Sequence, residues 1–167
     1  MSQLYEQQAA AMWERFYCRN EDKFYKDRHY FDREFPELCS GPATVVEVGC
    51  GAGNTVFPLL ELNPGLRVFC CDFSPKAIEL VKSHPAYAAS GRVSAFVADL
   101  TTTDLSAHVP RGCADFVSFV FVLSAVAPRK MIQAVANAAQ LLKPGGQLVF
   151  RDYAEGDLAQ ERREACL

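Results

Sequence analysis

The sequence lacks the features of a secreted or membrane-spanning protein. Its seven cysteines are odd in number and include no CxxC pair, and several lie in apolar runs where free thiols commonly pack. No apolar run approaches the ~18 residues of a membrane span, and residues 1–20 show no basic-then-apolar signal layout. We therefore expect reduced, structural cysteines, no membrane partner, and a cytoplasmic or nuclear location.

An excess of positive charge is also missing. The chain has 17 Lys and Arg against 20 Asp and Glu, which gives a formal net charge of −3. This balance argues against a globally basic nucleic-acid binder, but it leaves room for a local patch that holds phosphates. Half of the 167 residues are hydrophobic, which is enough to build one domain with a core and argues against disorder.

From residue 44 onward, apolar runs of strand length alternate with helix-like segments. Strands that are apolar on both faces and alternate with helices predict a doubly wound, mostly parallel α/β sheet. Asn54 and Ser74 are predicted to cap the first two helices, and the KPGG segment at 143–146 to end the third. The predicted strands are 44–48, 67–71, 93–97, 115–123 and 147–151, and the predicted helices are 55–62, 75–83 and 128–142.

Two further segments precede the sheet. Residues 3–17 have apolar residues at helical spacing, and residues 23–36 alternate aromatic with basic side chains. We divide the chain into an N-terminal helix with an aromatic and basic segment (1–40), a core (41–153) and a polar tail (154–167).

A glycine-rich turn follows the first predicted strand. Glu47, Gly49, Gly51 and Gly53 form the pattern ExGxGxG, which lies between that strand and a helix. Glycine is needed where a backbone turns tightly or closely approaches a ligand. A dinucleotide fingerprint would require GxGxxG, but Asn54 occupies the position of its third glycine. An NAD-dependent oxidoreductase is therefore the least favoured interpretation.

Acidic side chains follow three successive strands of the predicted sheet. A sulfonium cofactor carries positive charge and favours a nearby acid, and Glu47 lies where such an acid would be. Asp72 suits the two hydroxyls of a ribose, and Asp99 could accept from an adenine amino group. The carboxyl ends of parallel strands lie at the same edge of an open sheet, and ligands bind at this edge. Taken singly, the turn could be a plain connection, Asp72 could merely precede a helix cap, and Asp99 could be a solvated loop acid.

The glycine motif resembles that of the class I S-adenosylmethionine-dependent methyltransferases, which implies a Rossmann-like fold. Nearly the whole chain resembles a narrower family, the tRNA 3-methylcytidine methyltransferases of the methyltransferase-like group. The segments that carry this resemblance are 24–30 (FYKDRHY), 47–54 (EVGCGAGN), 71–75 (CDFSP), 121–126 (FVLSAV) and 151–153 (RDY).

This resemblance implies S-adenosyl-L-methionine as cofactor and methylation of N3 of a cytidine in a tRNA anticodon loop. It also implies help from a partner such as a seryl-tRNA synthetase for some members. Three residues, Lys26, Arg28 and His29, are expected to face RNA. The expected cofactor-binding residues are Trp13, Tyr17, Glu47, Gly49, Gly51, Gly53, Asp72, Phe73, Asp99, Leu100, Phe121 and Ser124.

Methyl transfer to this nitrogen needs positioning and the exclusion of water more than a strong base, because neutral cytidine offers a lone pair. The methylated base is cationic, so a carboxylate near the end of the fourth or fifth strand would stabilise the developing charge. Asp152 is our candidate for this catalytic role. The alternative is a salt bridge from Asp152 to Arg151 or to a neighbouring strand.

The family continues past the fifth strand with two antiparallel strands, and residues 154–167 are too short to supply them. We therefore expect a sheet without its usual last two strands, with an exposed fifth strand, and cofactor binding that survives better than catalysis. Two alternatives stay open. One is a catalytically impaired cofactor-binding isoform that acts through a partner, and the other is a small-molecule methyltransferase. The stretch 24–33 could equally be a lid whose aromatics pack on the domain, or it could serve both roles.

Overall fold

The computed structural model describes the backbone of residues 2–158 and the side chains of residues 8–158. Residues 159–167, most of the predicted polar tail, lie outside the described part. The helices are α1 (Ser2–Asn20), α2 (Phe31–Glu34), α3 (Val56–Leu62), α4 (Pro75–Ser83), α5 (Pro85–Ser90) and α6 (Pro128–Ala139). The strands are β1 (Ala43–Val48), β2 (Leu66–Asp72), β3 (Val93–Val97), β4 (Ala114–Val120) and β5 (Leu142–Arg151).

The five strands form one sheet in the order β3-β2-β1-β4-β5, and every neighbouring pair is parallel. This confirms the predicted doubly wound parallel sheet. Side chains alternate between the faces of a strand, so Val45 packs with α3 and α4 while Val46 packs with α6. The order of the strands places β1 at the centre, with the carboxyl ends of β1, β2 and β4 side by side. None of the described helices is long and apolar enough to cross a membrane.

Two predicted helix boundaries are wrong. The N-cap residue of α3 is Thr55, not Asn54, and the Thr55 side chain makes no capping hydrogen bond to the helix. The Asn54 side chain instead donates to the Tyr25 carbonyl and to Asp27, so a contact distant in sequence replaces the local cap. Helix α6 ends at Ala139, and segment 143–146 belongs to β5. The Ser74 cap is confirmed, because its Oγ accepts from the Ala77 amide at 3.1 Å.

Asn63 ties the loop after α3 to the segment before β1. Its Nδ2 donates to the carbonyls of Leu38 (3.0 Å) and Gly41 (2.8 Å), and its Oδ1 accepts from the Gly65 amide (2.9 Å). Asn63 is buried, so its removal leaves backbone groups without partners. We expect Asn63→Ala to lower the free energy of unfolding by about 2 kcal/mol, measured by urea denaturation.

Asn20→Ala is the matched control, because Asn20 makes one such bond, to the Phe16 carbonyl of its own helix. We expect it to change stability by less than about 0.5 kcal/mol. Equal losses in the two variants would contradict the role assigned to Asn63.

Candidate functional site

A cleft opens at the carboxyl ends of β1, β2 and β4, beneath α1. Its empty space, counted out to the open mouth, is about 900 Å³. Eight of the predicted site residues line it: Trp13, Tyr17, Gly49, Asp72, Phe73, Asp99, Leu100 and Phe121. Parallel strand ends therefore bring together residues that are far apart in sequence, as the pattern predicted.

Gly49 lines the cleft, and Gly51, which does not line it, lies against Tyr17. Both have left-handed backbones, with φ of +66° and +54°. A Cβ on Gly49 would lie 2.6 Å from Cγ2 of Val122, and one on Gly51 would lie 2.5 Å from Oη of Tyr17. Glycine is thus required both by the backbone conformation and by the neighbouring side chains. Gly53 does not line the cleft and instead packs against Phe57.

The Asp72 carboxylate is held at the end of β2 by backbone amides. Its Oδ2 accepts from the Gly51 amide and its Oδ1 from the Ser74 amide, both at 3.0 Å. Burial raises the pKa of Asp72, and the hydrogen bonds from the Ser74, Gly51 and Phe73 amides oppose that shift. The carboxylate is thus fixed in place, and it faces the cleft.

Glu47 lies below the cleft and does not line it. Its side chain is 1% exposed, and neither carboxylate oxygen has a hydrogen-bond partner among the described residues. Burial raises the pKa of Glu47 to about 7, although the positive charge of Arg28 acts in the opposite direction. Because a buried charge is costly, burial favours the protonated form of Glu47.

Asp99 lies at the far side of the cleft, after β3. Its Oδ1 accepts from both the amide and the hydroxyl of Thr101, each at 2.8 Å, which holds the side chain at the rim. Leu100 is buried beside it. Sequence reasoning did not identify Thr101, which also lines the cleft.

Helix α1 forms the roof. Trp13 and Tyr17 stack with ring centroids 6.1 Å apart, and Ala9 and Ala10 continue the lining toward the helix start. Burial raises the pKa of Tyr17 far above its ordinary value, and the Asp72 charge acts in the same direction. The phenol is therefore neutral.

The aromatic and basic segment after α1 folds back onto the glycine turn. The Arg28 amide donates to the Asn54 carbonyl at 2.8 Å, and its Nη1 donates to Oγ1 of Thr55 at 2.7 Å. Its guanidinium lies 5.5 Å from the Phe121 ring centroid. Arg28 thus faces the core domain, whereas Lys26 and His29 are exposed. The lid interpretation of the segment fits this placement, and RNA contact by these residues stays a prediction.

Phe121 lines the cleft after the end of β4, whereas Asp152, the predicted catalytic residue after β5, does not line it. Phe121 has φ of +57°, which is rare for a bulky residue and is typical of functional sites. Asp152 accepts from the Ser124 and Tyr153 amides, each at 2.9 Å. Ser124 is exposed and does not line the cleft. Arg151 forms an ion pair with Glu34, rather than the bridge to Asp152 considered as an alternative.

Sequence reasoning missed part of the cleft wall between β4 and α6. All but Lys130 are small or apolar, so no chemical pattern singled them out as ligand-binding residues. They are Ala125, Val126, Ala127 and Lys130, together with Ala98 after β3, whereas Val122 lies within the range 121–124 that was expected to form the pocket floor. Among residues 8–158, no cluster of three or more His, Cys, Asp or Glu could hold a metal ion.

A family model described as "Methyltransferase domain" matches residues 46–148. The chain is 47% identical over 164 residues to the Schizosaccharomyces pombe tRNA N(3)-methylcytidine methyltransferase trm141, covering 95% of this chain and 65% of that protein. It is 47% identical over 169 residues to the human tRNA N(3)-cytidine methyltransferase METTL6, covering 98% of this chain and 59% of that protein. The resemblance seen in the sequence is thereby confirmed. The chain spans about three fifths of the length of these curated relatives.

Solved structures agree on the fold. Phosphoethanolamine N-methyltransferase 1 of Haemonchus contortus, in complex with phosphoethanolamine and S-adenosylhomocysteine, superimposes with a TM-score of 0.69 at 17% identity, covering 93% of this chain and 34% of that one. The PH0226 protein of Pyrococcus horikoshii gives 0.65 at 19% identity, with coverages of 83% and 57%. At such identities the likeness supports the fold alone.

Proposed function

We propose that this chain, which belongs to the methyltransferase domain family, binds S-adenosylmethionine in the cleft and methylates N3 of a cytidine in the anticodon loop of a tRNA. The observation that carries the proposal is the 47% identity, over nearly the whole chain, to proteins named as tRNA N(3)-cytidine methyltransferases. We further propose that the protein acts in the cytoplasm or nucleus, and that a seryl-tRNA synthetase or another protein assists it.

The cleft fits this cofactor on three counts. The left-handed backbone of Gly49 allows close approach of a ligand, Asp72 offers an anchored carboxylate to ribose hydroxyls, and the Glu47 carboxyl beneath the turn has no hydrogen-bond partner among the described residues. A cationic cofactor is electrostatically compatible with acidic side chains at this end of the sheet.

When bound, S-adenosylmethionine supplies a methyl group on a sulfonium sulfur. Transfer of that methyl group to the lone pair of cytidine N3 would require no proton movement, because the bonding pair of the broken C–S bond would leave with sulfur. The chain's own residues position the reactants and exclude water, with Trp13 and Tyr17 as roof and Phe121 at the mouth. Asp152, which accepts from the Ser124 amide in the segment after Phe121, would stabilise the positive charge that develops on the base.

We expect Asp152→Asn to lower kcat by about tenfold with little change in the KM for S-adenosylmethionine, because the variant loses the charge and keeps an amide oxygen for the Ser124 amide. Initial rates of methyl transfer to tRNA provide the measurement. Glu155→Gln, an exposed neighbour, is the control and should leave kcat unchanged. An unchanged kcat in Asp152→Asn would show that Asp152 does not contribute to catalysis.

The function as a whole is tested by incubating the chain with tRNA and S-adenosylmethionine, followed by mass spectrometry of the nucleosides. We expect 3-methylcytidine to form. Calorimetric titration with S-adenosylhomocysteine, run in parallel, separates the alternatives. Binding without methylation of tRNA would favour the cofactor-binding module that acts through a partner. Absence of binding by the folded chain would overturn the proposal.

A further inference from the structure

Glu14 connects the roof helix to the loop that carries Asp72. It lies on α1 between the cleft-lining positions Trp13 and Tyr17, yet its side chain points to the start of α4. Its Oε2 accepts from the Ser74 hydroxyl at 2.5 Å and from the Lys76 amide at 3.1 Å. Glu14 therefore caps α4 from a helix that is 60 residues away in sequence.

The same loop holds the ribose-binding carboxylate. The Ser74 amide donates to Oδ1 of Asp72 at 3.0 Å, while the Ser74 hydroxyl donates to Glu14. A continuous chain of hydrogen bonds thus runs from the roof helix through Ser74 to the side chain at the cleft floor. If α1 moved away from α4, these hydrogen bonds would break and the cleft would open at the same time.

The apolar contact between α1 and the core domain is small. Tyr17, Ala52 and Ala77 form a minor cluster, with Trp13 and Phe16 packed against it, and most other described positions of α1 are exposed or half-buried. A helix with so little buried apolar surface needs polar anchors to stay docked. Two hydrogen bonds to one carboxylate, which are stronger than neutral ones, supply such an anchor.

We propose that Glu14 is a positioning residue, which holds α1 closed over the cleft and thereby raises the affinity for S-adenosylmethionine. The inference rests on the proposed function, in that it takes the cleft to be the site of this cofactor. Glu14 does not line the cleft, so it acts through Trp13, Tyr17 and the Asp72 loop. Affinity falls with the fraction of molecules in which α1 is docked.

The test uses Glu14→Ala, Glu14→Asp and Glu14→Gln, with S-adenosylhomocysteine as the titrant in calorimetry. We expect Glu14→Ala to weaken binding by about tenfold, through loss of both hydrogen bonds. Glu14→Asp keeps the charge but withdraws the carboxylate by one methylene, so it should weaken binding nearly as much. Glu14→Gln keeps an acceptor oxygen at the same reach and should stay within about threefold of the wild type.

Arg15→Ala is the matched control, because Arg15 is exposed on the same helix and bonds its own turn, at the Ala11 carbonyl. It should bind like the wild type. Trp13 is the chain's single tryptophan, so its fluorescence in the absence of ligand reports whether the roof is docked. We expect a shift to longer wavelength in Glu14→Ala and Glu14→Asp, but not in Glu14→Gln or Arg15→Ala.

Equal binding by the wild type and Glu14→Ala would overturn the inference and leave the proposed function intact. Loss of binding in Glu14→Gln as severe as in Glu14→Ala would also overturn it, because the acceptor geometry is retained. Absence of binding by the wild type would overturn the proposed function first and this inference with it. Glu14→Asp keeps the test decisive where Glu14→Ala fails to fold.

Discussion

Asp72→Asn is expected to weaken the binding of S-adenosylhomocysteine by about 100-fold, or roughly 2.7 kcal/mol. The carboxylate accepts from the Gly51 and Ser74 amides and still has lone pairs for the ribose hydroxyls. Hydrogen bonds to a charged acceptor contribute about 1.5–3 kcal/mol each. In asparagine an NH₂ group replaces one of the two carboxylate oxygens. Both oxygens of Asp72 accept from backbone amides, so the NH₂ group would place a donor against a donor. Calorimetry gives the change directly.

Asp104→Asn is the control for this prediction. Asp104 lies in the connection between β3 and β4, and, like Asp72, its carboxylate accepts from a nearby amide, that of Ser106 at 3.0 Å. Unlike Asp72, it does not line the cleft. We expect unchanged affinity in this variant, and a similar melting temperature in both variants and the wild type. A loss of less than about fivefold in Asp72→Asn would show that Asp72 does not hold the ribose.

Glu47 is expected to make the protein less stable as the pH rises from about 4.5 to 7. The pKa of Glu47 in the folded protein, about 7, lies above the value of 4.5 for an unperturbed glutamate. Between these values the folded state binds a proton that the unfolded state has lost, so the free energy of unfolding falls with pH. The full effect is on the order of 3 kcal/mol, and it is complete above about pH 8.

Urea denaturation of the wild type and Glu47→Gln across pH 4 to 9 measures this effect. The glutamine cannot ionise, so we expect the stability of the variant relative to the wild type to rise by roughly 3 kcal/mol between pH 4.5 and 8. Glu79→Gln, at an exposed position on α4, should show no such pH dependence relative to the wild type. Parallel pH profiles for the wild type and Glu47→Gln would show that Glu47 ionises freely in the folded protein.

The sequence predicted those parts of the molecule that depend on local pattern and on the geometry of parallel strands. Gly49, Asp72 and Asp99 line the predicted cleft because each follows a strand, and strand ends are brought together by the order of the sheet. The periodic apolar runs that predicted β1 to β5 also determine which positions face the two cores.

What the sequence could not predict depends on contacts between distant segments. Asn54 has the chemistry of a helix cap, but its amide is used by Tyr25 and Asp27. Arg28 has the chemistry of a phosphate ligand, but its guanidinium donates to Thr55. The left-handed backbone of Phe121 carried no sequence signal either, because aromatic residues at strand ends are common and this conformation is rare.

The ion pair of Arg151 with Glu34 bears on the timing of folding during protein synthesis. Arg151 also lies over the Tyr30 ring, 4.4 Å from its centroid, so the last residue of β5 secures a segment made 117 residues earlier. Contacts of such long range form late, because loop closure must precede them. During synthesis, Tyr30 and Glu34 therefore gain these contacts only after β5 has been made, whereas the bonds from Asn54 to Tyr25 and Asp27 can form much earlier.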